Sequence, residues 1–137
     1  MAFKPITGWR SAKVEDLPMT TATTLTKYNL CKMSSGYLVA AADGDNEVEY
    51  LALETKTNSG SSGAANCRVL KIDDVTEFEA LCSTTPVQAT HVGNDYDLDD
   101  AYTVKLSATT DKVFHIDSIV NAADYLVRGR FNKPAIA

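Results

Sequence analysis

The sequence predicts a mainly β protein with little helix, built as a small antiparallel barrel or sandwich. Short runs rich in β-branched and aromatic residues recur along its 137 residues, with turn-forming residues between them. Residues 102–107 alternate most clearly, so Tyr102, Val104 and Leu106 are predicted on one face of a strand and polar residues on the other. A hydrophobic content of 45% is ordinary for a globular protein, and the length suits one domain or two very small modules.

The first 22 residues predict an extended N-terminal arm. Single large apolar residues are spread among Pro5, Gly8 and Pro18, and neither helical nor strand periodicity is clean. Such an arm either packs along its own domain or reaches to a neighbour. A first strand paired at the edge of a sheet is the alternative interpretation.

Residues 23–73 predict a first, barrel-like module. Its predicted elements follow one another closely: a hairpin over 28–42 that turns at 34–36, a turn at 43–46, a strand at 47–53, a Gly/Ser loop at 57–63 and a strand at 66–72. Four or five short strands with turns between them are typical of a small antiparallel barrel or sandwich.

Residues 74–137 predict a second β-module. At its start a helix-capping pattern over 74–77 competes with the strand-like alternation of 76–80. Further on, residues 95–100 predict an acidic turn. The last two predicted strands, over 113–120 and 126–131, leave Arg128 and Arg130 facing outward.

The connection between these last two strands has two interpretations. Residues 121–124 suit a hairpin turn. Alternatively, residues 119–126 suit about two turns of helix with Ser118 as the cap.

The four aspartates between residues 95 and 100 invite a test as a calcium loop. With Asp95 at the first position, Asp100 stands where the loop needs glycine and Leu106 stands where a bidentate glutamate belongs. The calcium-loop pattern therefore fails. We favour a solvated turn, or an interface rim whose carboxylates fix the register of a partner. A looser cation site in this turn is the remaining alternative; we otherwise predict no metal and no cofactor.

Catalytic motifs are missing from the sequence, so we predict no enzyme. His91 and His115 are its two histidines, and neither lies in a nucleophile, zinc or phosphate-binding motif. The three cysteines, Cys31, Cys67 and Cys82, lie in or beside apolar runs and predict buried free thiols, with a Cys31–Cys67 bridge as the alternative.

Charge and hydropathy limit the classes of partner. Thirteen basic residues against 18 acidic ones give a net charge of −5, which argues against nucleic acid. The segment from Arg128 to Lys133 interleaves basic and aromatic residues and could stack bases, but an exposed strand face or a salt-bridge partner is favoured. No apolar run approaches the roughly 18 residues of a membrane span, so we predict no membrane partner and a soluble protein without a signal peptide.

The order of these elements resembles that of tailed-phage capsid decoration proteins, also called cement or head-stabilising proteins. The resemblance rests on the apolar arm, on residues 25–30 leading to a Ser-Gly turn, on residues 50–54, on the Gly/Ser loop and on residues 67–70. The ending, residues 113–120 and 127–131, resembles that of related small virion proteins. The resemblance implies a β-tulip-like barrel, and the region after Asp73 departs from simpler family members.

This resemblance implies a structural virion protein that is assembled in the host cytoplasm and lies on the capsid exterior. It would bind an expanded icosahedral shell as a homotrimer and bridge major capsid subunits. The expected partner-binding residues lie in the arm and on the last strand: Phe3, Ile6, Trp9, Arg10, Arg128 and Arg130. The alternative function is a monomeric β-domain that recognises a glycan or a host-surface ligand.

Overall fold

The structure, a computed structural model, describes residues 3–7, 13–42, 45 and 48–132. Within these residues the chain forms short strands and one helix of a single turn. The strands are β1 (Lys4–Thr7), β2 (Val14–Pro18), β3 (Thr23–Leu25), β4 (Leu30–Ser34), β5 (Tyr37–Ala40), β6 (Tyr50–Ala52), β7 (Lys56–Asn58), β8 (Asn66–Lys71), β9 (Glu77–Cys82), β10 (Asp95–Leu98), β11 (Thr103–Lys105), β12 (Phe114–Asn121) and β13 (Leu126–Phe131), and the helix is α1 (Gln88–His91). The predicted mainly β class with little helix is confirmed.

One sheet contains five strands in the order β2-β8-β6-β4-β5, and every neighbouring pair is antiparallel. The predicted hairpin is its β4–β5 pair. Ser35 and Gly36 form the turn with φ values of 51° and 87°, the backbone that suits the twist of a two-residue hairpin. A parallel bridge between Met19 and Leu38 brings the chain after β2 against β5, so this sheet curls toward its own far edge.

The other large sheet has the order β1-β9-β11-β10-β12-β13, and β13 also pairs with β9. The pairings therefore form a ring through β9, β11, β10, β12 and β13, while β1 pairs beside the ring with the first half of β9. A separate ribbon is formed by β3 and β7.

The described residues of the N-terminal segment form two paired strands. Residues 4–7 pair with β9 and residues 14–18 pair with β8, so their backbone groups are bonded within the chain. These residues are extended and lie along their own domain, and their pairing is that of the edge-strand alternative. The division of the chain at residues 22 and 73 stays a prediction.

Two buried clusters form the core, and the central strands of the five-stranded sheet contribute to both. The larger cluster lies between the two large sheets, and the smaller one lies on the other side of the five-stranded sheet. Consecutive residues on one strand belong to different clusters: Leu30 and Cys31, Leu51 and Ala52, and Leu70 and Val69. Burial on both faces explains why these strands read as continuous apolar runs, and it makes the architecture sandwich-like.

All four phenylalanines meet in the larger cluster. The ring of Phe131 lies 5.2 Å from Phe3, 5.1 Å from Phe78 and 5.0 Å from Phe114, measured between centroids. The two last contacts are edge-to-face, the arrangement that aromatic quadrupoles favour. The beginning of β1 is thus fixed to the end of β13.

Several local predictions for the second sheet were wrong. Residues 95–98 form strand β10, not a turn, because they pair with β11 and β12. Tyr102 lies before β11 and is exposed. Val120 is also exposed, although regular alternation along the predicted strand 113–120 would place it on the buried face of Phe114 and Ile116. The register of β12 shifts between Ile116 and Ser118, and a bulge of this kind breaks the two-residue period.

The connection at 119–126 is a hairpin turn and not a helix. Asn121 Nδ2 donates a 2.9 Å hydrogen bond to Asp124 Oδ2, and the Asp124 amide donates to Asn121 Oδ1. At residues 77–82 the strand alternative is the one found. The helix-capping pattern before it is instead a turn, in which Asp73 accepts from the amides of Val75 and Thr76.

Candidate interaction surface

The residues predicted to bind a partner from the N-terminal segment have different positions. Phe3 is fully buried in the aromatic cluster, so it is corrected from a contact residue to a core residue. Ile6 on β1 is half-buried. Trp9 and Arg10 lie outside the described residues. A role for Ile6, Trp9 and Arg10 in partner binding stays a prediction.

Arg130 lies on the outer face of the second sheet, as predicted, within a group that we call the charged strip: Asp95, His115, Asp117, Arg130 and Asn132. Strand register places Asp95 opposite His115 and His115 opposite Arg130, so the side chains of three strands meet. His115 Nδ1 lies 2.9 Å from Asp95 Oδ1, and Arg130 Nε lies 3.3 Å from Asp117 Oδ2. Asn132 Nδ2 donates to Asp95 Oδ1 at 2.9 Å.

The charged strip has unused hydrogen-bonding capacity. Asp117 Oδ2 is shielded from solvent and has an ion-pair contact with Arg130, yet it accepts no hydrogen bond within the described chain. Cross-strand pairing fixes the positions of these charges. Fixed charges contribute more to the specificity and rate of association than to affinity, so the strip suits orientation of a partner.

Arg128 lies on β13, as Arg130 does, but its ion-pair partner lies on β9 and not on β12. It faces Glu79 across the β13–β9 pairing, and its Nη2 lies 3.4 Å from Glu79 Oε2. Both predicted arginines therefore face outward, but each is already held by a carboxylate of its own chain. Sequence alternation predicted their direction, whereas their partners depend on strand register.

The aspartates of residues 95–100 have separate structural partners. Asp97 is buried and accepts hydrogen bonds from the amides of residues 110, 111 and 112 at 3.2, 2.7 and 2.9 Å. Asp100 accepts from the amide of Tyr102 and the hydroxyl of Thr103. Among the described residues, no group of three His, Cys, Asp or Glu side chains could hold a metal ion. The solvated turn is corrected at Asp97, which holds the following loop.

The β12–β13 hairpin ends in an exposed apolar tip. Val120 and Tyr125 are among the exposed large hydrophobic residues, and Tyr125 has a φ of 61°. An apolar tip beside fixed charges is the usual composition of a contact surface. The predicted residues Arg128 and Arg130 lie on this same hairpin.

The three cysteines are buried free thiols, as predicted. Burial raises the pKa of Cys31 and of Cys82 from 9.0 to about 12, and the neighbouring Cys67 adds to the effect at Cys31. Burial also raises the pKa of Cys67 to about 11. A thiol that stays protonated is a poor nucleophile, so these residues contribute packing at neutral pH.

None of the described helices has the length and apolar character needed to span a membrane.

A cleft between the two sheets was missed by the sequence analysis. It has a volume of about 330 Å³ and is lined by Pro5, Lys27, Tyr28, Leu53 and Arg68. These residues come from distant parts of the chain. Residues 28 and 29 were predicted in a strand, but they lie in a turn before β4. No local pattern in the sequence indicated the cleft.

The protein is mainly β. Its two large sheets share a core, a two-stranded ribbon accompanies them, and the charged strip lies on the outer face of the second sheet. In its fold the chain is similar to the N base of the head fiber gp8.5 of bacteriophage phi29, known from a crystal structure. The TM-score is 0.54 at 10% sequence identity, and the match covers 91% of this chain and 99% of that one. No protein-family model matches the sequence, and no curated protein matches it.

Proposed function

We propose that the chain is a structural, non-enzymatic phage head protein that binds the outer surface of an expanded icosahedral capsid. The main support is the likeness in fold to the N base of a phage head fiber, which extends over nearly the full length of both chains. The resemblance of the sequence to capsid decoration proteins points to the same class. The proposed location is the capsid exterior of the virion, after assembly in the host cytoplasm.

The proposed action is stabilisation of the shell by bridging major capsid subunits. A protein that binds the assembled lattice and not separated subunits adds its binding free energy to the lattice. We propose a homotrimer, because three weak contacts held together gain effective concentration. The contact surface includes the β12–β13 hairpin, where Arg130 and the exposed Val120 and Tyr125 lie.

Mass measurement and co-sedimentation test the proposal together. Light scattering during gel filtration is expected to give three times the 14.8 kDa of one chain. The protein is expected to pellet with expanded capsids of its own phage and to stay in solution with unexpanded ones. A protein that is strictly monomeric and fails to pellet with expanded capsids contradicts the proposal. Thermal shifts with members of a glycan panel would then support the alternative of a ligand-binding β-domain.

Single substitutions test the contact surface. Replacing Arg130 with alanine or Tyr125 with serine is expected to reduce pelleting without changing the trimer. Lys71→Ala is the matched control, because Lys71 is exposed on β8 of the other sheet. Equal pelleting of all three variants would remove the β12–β13 hairpin from the contact.

A further inference from the structure

The cleft between the two sheets combines apolar walls with two cationic side chains. Pro5, Tyr28 and Leu53 supply the apolar surface, and Lys27 and Arg68 supply the charge. Its volume of about 330 Å³ is at the lower end of the roughly 300–1,000 Å³ of small-ligand sites. A cleft of this size suits one small molecule or one side chain of a partner.

The backbone around the cleft is fixed by hydrogen bonds. Tyr28 has a φ of 70°, a conformation that residues with a side chain rarely adopt. Its amide donates to the carbonyl of Ala52 at 2.7 Å, and its carbonyl accepts from the amide of Phe3 at 3.2 Å. The Leu53 amide donates to the carbonyl of Arg68 at 2.9 Å. The backbone of Tyr28 is therefore bonded to two other segments of the chain, and backbone strain of this kind is commonly found at binding sites.

Neither cation of the cleft forms an ion pair shorter than 3.9 Å with the described residues. Lys27 Nζ lies 5.1 Å from the centroid of the Tyr28 ring and forms no ion pair with the described residues. Arg68 Nε lies 3.9 Å from Asp16 Oδ1, and both side chains are well exposed, so this contact is weak. Glu54 Oε2 accepts a hydrogen bond from the Arg68 backbone amide at 2.8 Å, and no ion pair joins Glu54 to the Arg68 guanidinium within the described residues.

We propose that this cleft binds a carboxylate carried on a small apolar body. Lys27 and Arg68 hold the carboxylate, since a guanidinium and an ammonium both donate hydrogen bonds to its oxygens. Pro5, Tyr28 and Leu53 pack against the apolar part. Three apolar walls and two cations suit a singly charged acid better than a phosphate, which presents more oxygens and more charge. The ligand is either a free organic acid or an acidic side chain beside an apolar one in a polypeptide.

Titrations followed by two-dimensional ¹H–¹⁵N NMR test the proposal on the full chain. The probes are phenylacetate with its neutral amide, and the capped dipeptide of phenylalanine and glutamate with its glutamine analogue. At least one acid is expected to give saturable shifts at the amides of Lys27, Tyr28, Leu53 and Arg68, with a dissociation constant on the order of 1–10 mM. Tighter binding of phenylacetate identifies a free acid as the ligand, and tighter binding of the dipeptide identifies a polypeptide.

Two variants provide the control. The double substitution Lys27→Gln with Arg68→Gln is expected to weaken binding of the acid by about tenfold or more, since both charges are lost. Lys71→Gln is the matched variant, because Lys71 is exposed on the same strand as Arg68 but does not line the cleft. The proposal is overturned if neither acid gives saturable shifts, if the neutral analogues bind as tightly, or if the double variant binds like Lys71→Gln. Capsid pelleting does not enter this test, so its result is separate from that of the proposed function.

Discussion

Replacing Gly129 with alanine is expected to disrupt the β12–β13 pair. Gly129 lies opposite Ile116, at the point where the register of β12 begins to shift. A Cβ atom added there would lie 1.9 Å from the carbonyl oxygen of His115 and 2.7 Å from a ring carbon of Phe114. Real Cβ contacts are essentially never shorter than 3.0 Å, so the carbonyl would have to retreat by about 1 Å or more. That oxygen belongs to the backbone of the neighbouring strand, and a change of side-chain rotamer cannot move it.

The expected loss of stability has two sources, overpacking beside Gly129 and weakened hydrogen bonds between β12 and β13. Overpacking a core typically costs about 1–3 kcal/mol. Separating the two strands would also weaken hydrogen bonds worth about 0.5–1.5 kcal/mol each. We therefore expect a loss of about 3–5 kcal/mol, a large part of the roughly 5–15 kcal/mol by which domains are stable. For a chain of this length, that corresponds to a fall in Tm of about 10–15 °C.

The assay is urea unfolding followed by circular dichroism, together with a thermal scan. The matched control is Gly36→Ala, in the turn between β4 and β5. Gly36 has a φ of 87°, and a Cβ there would meet nothing within 4 Å. This control measures only the cost of a left-handed backbone, about 1 kcal/mol. If Gly129→Ala costs no more than Gly36→Ala, the steric reasoning is refuted.

Four further predictions concern polar and titratable groups. Asp97→Ala is expected to destabilise the protein by about 1–3 kcal/mol in urea unfolding, because three amides lose their acceptor; Asp97→Asn, which keeps one acceptor oxygen, should cost less, and an equal cost would contradict this account. The three cysteines should react with a disulfide reagent at pH 8 only when the chain unfolds, and rapid labelling of the native protein would refute their burial. Since burial raises their pKa values, unfolded thiols ionise first, and the free energy of unfolding should fall between pH 9 and about 12; a level profile would contradict this. A double-mutant cycle on Arg128 and Glu79 should give a coupling of only about 0.2–1 kcal/mol, because the pair is partly exposed, and a much larger value would indicate a stronger ion pair.

Local patterns predicted those features that depend on neighbouring residues. Ser35 and Gly36 specify a tight turn by their own conformational preferences, so the β4–β5 hairpin was found from the sequence. The alternation of Val127 to Phe131 gave the outward direction of Arg128 and Arg130. Side chains that repeat every two residues carry this information wherever a strand is regular.

Features that depend on distant contacts could not be read in this way. Phe3 is buried because Phe114 and Phe131, far along the chain, pack against its ring within the larger cluster. Val120 is exposed because the register of the β12–β13 pair shifts. The lack of space for a side chain at Gly129 also arises from this pair, since the carbonyl of His115 on β12 lies against Gly129 on β13. The cleft needs Lys27, in the turn before β4, to meet Arg68 on β8 and Pro5 on β1. In each case the deciding contact joins residues that are remote in sequence.

The pairing of β1 with β9 also sets an order of events during synthesis. Residues 4–7 are synthesised before the five-stranded sheet, but their partner strand β9 follows that entire sheet in the chain. The ring contacts of Phe3 with Phe114 and Phe131 therefore cannot form until the late strands β12 and β13 exist. Closing so long a loop is slow compared with forming local hairpins. We expect the five-stranded sheet to form before β1 is paired, and β1 to be among the last strands to dock.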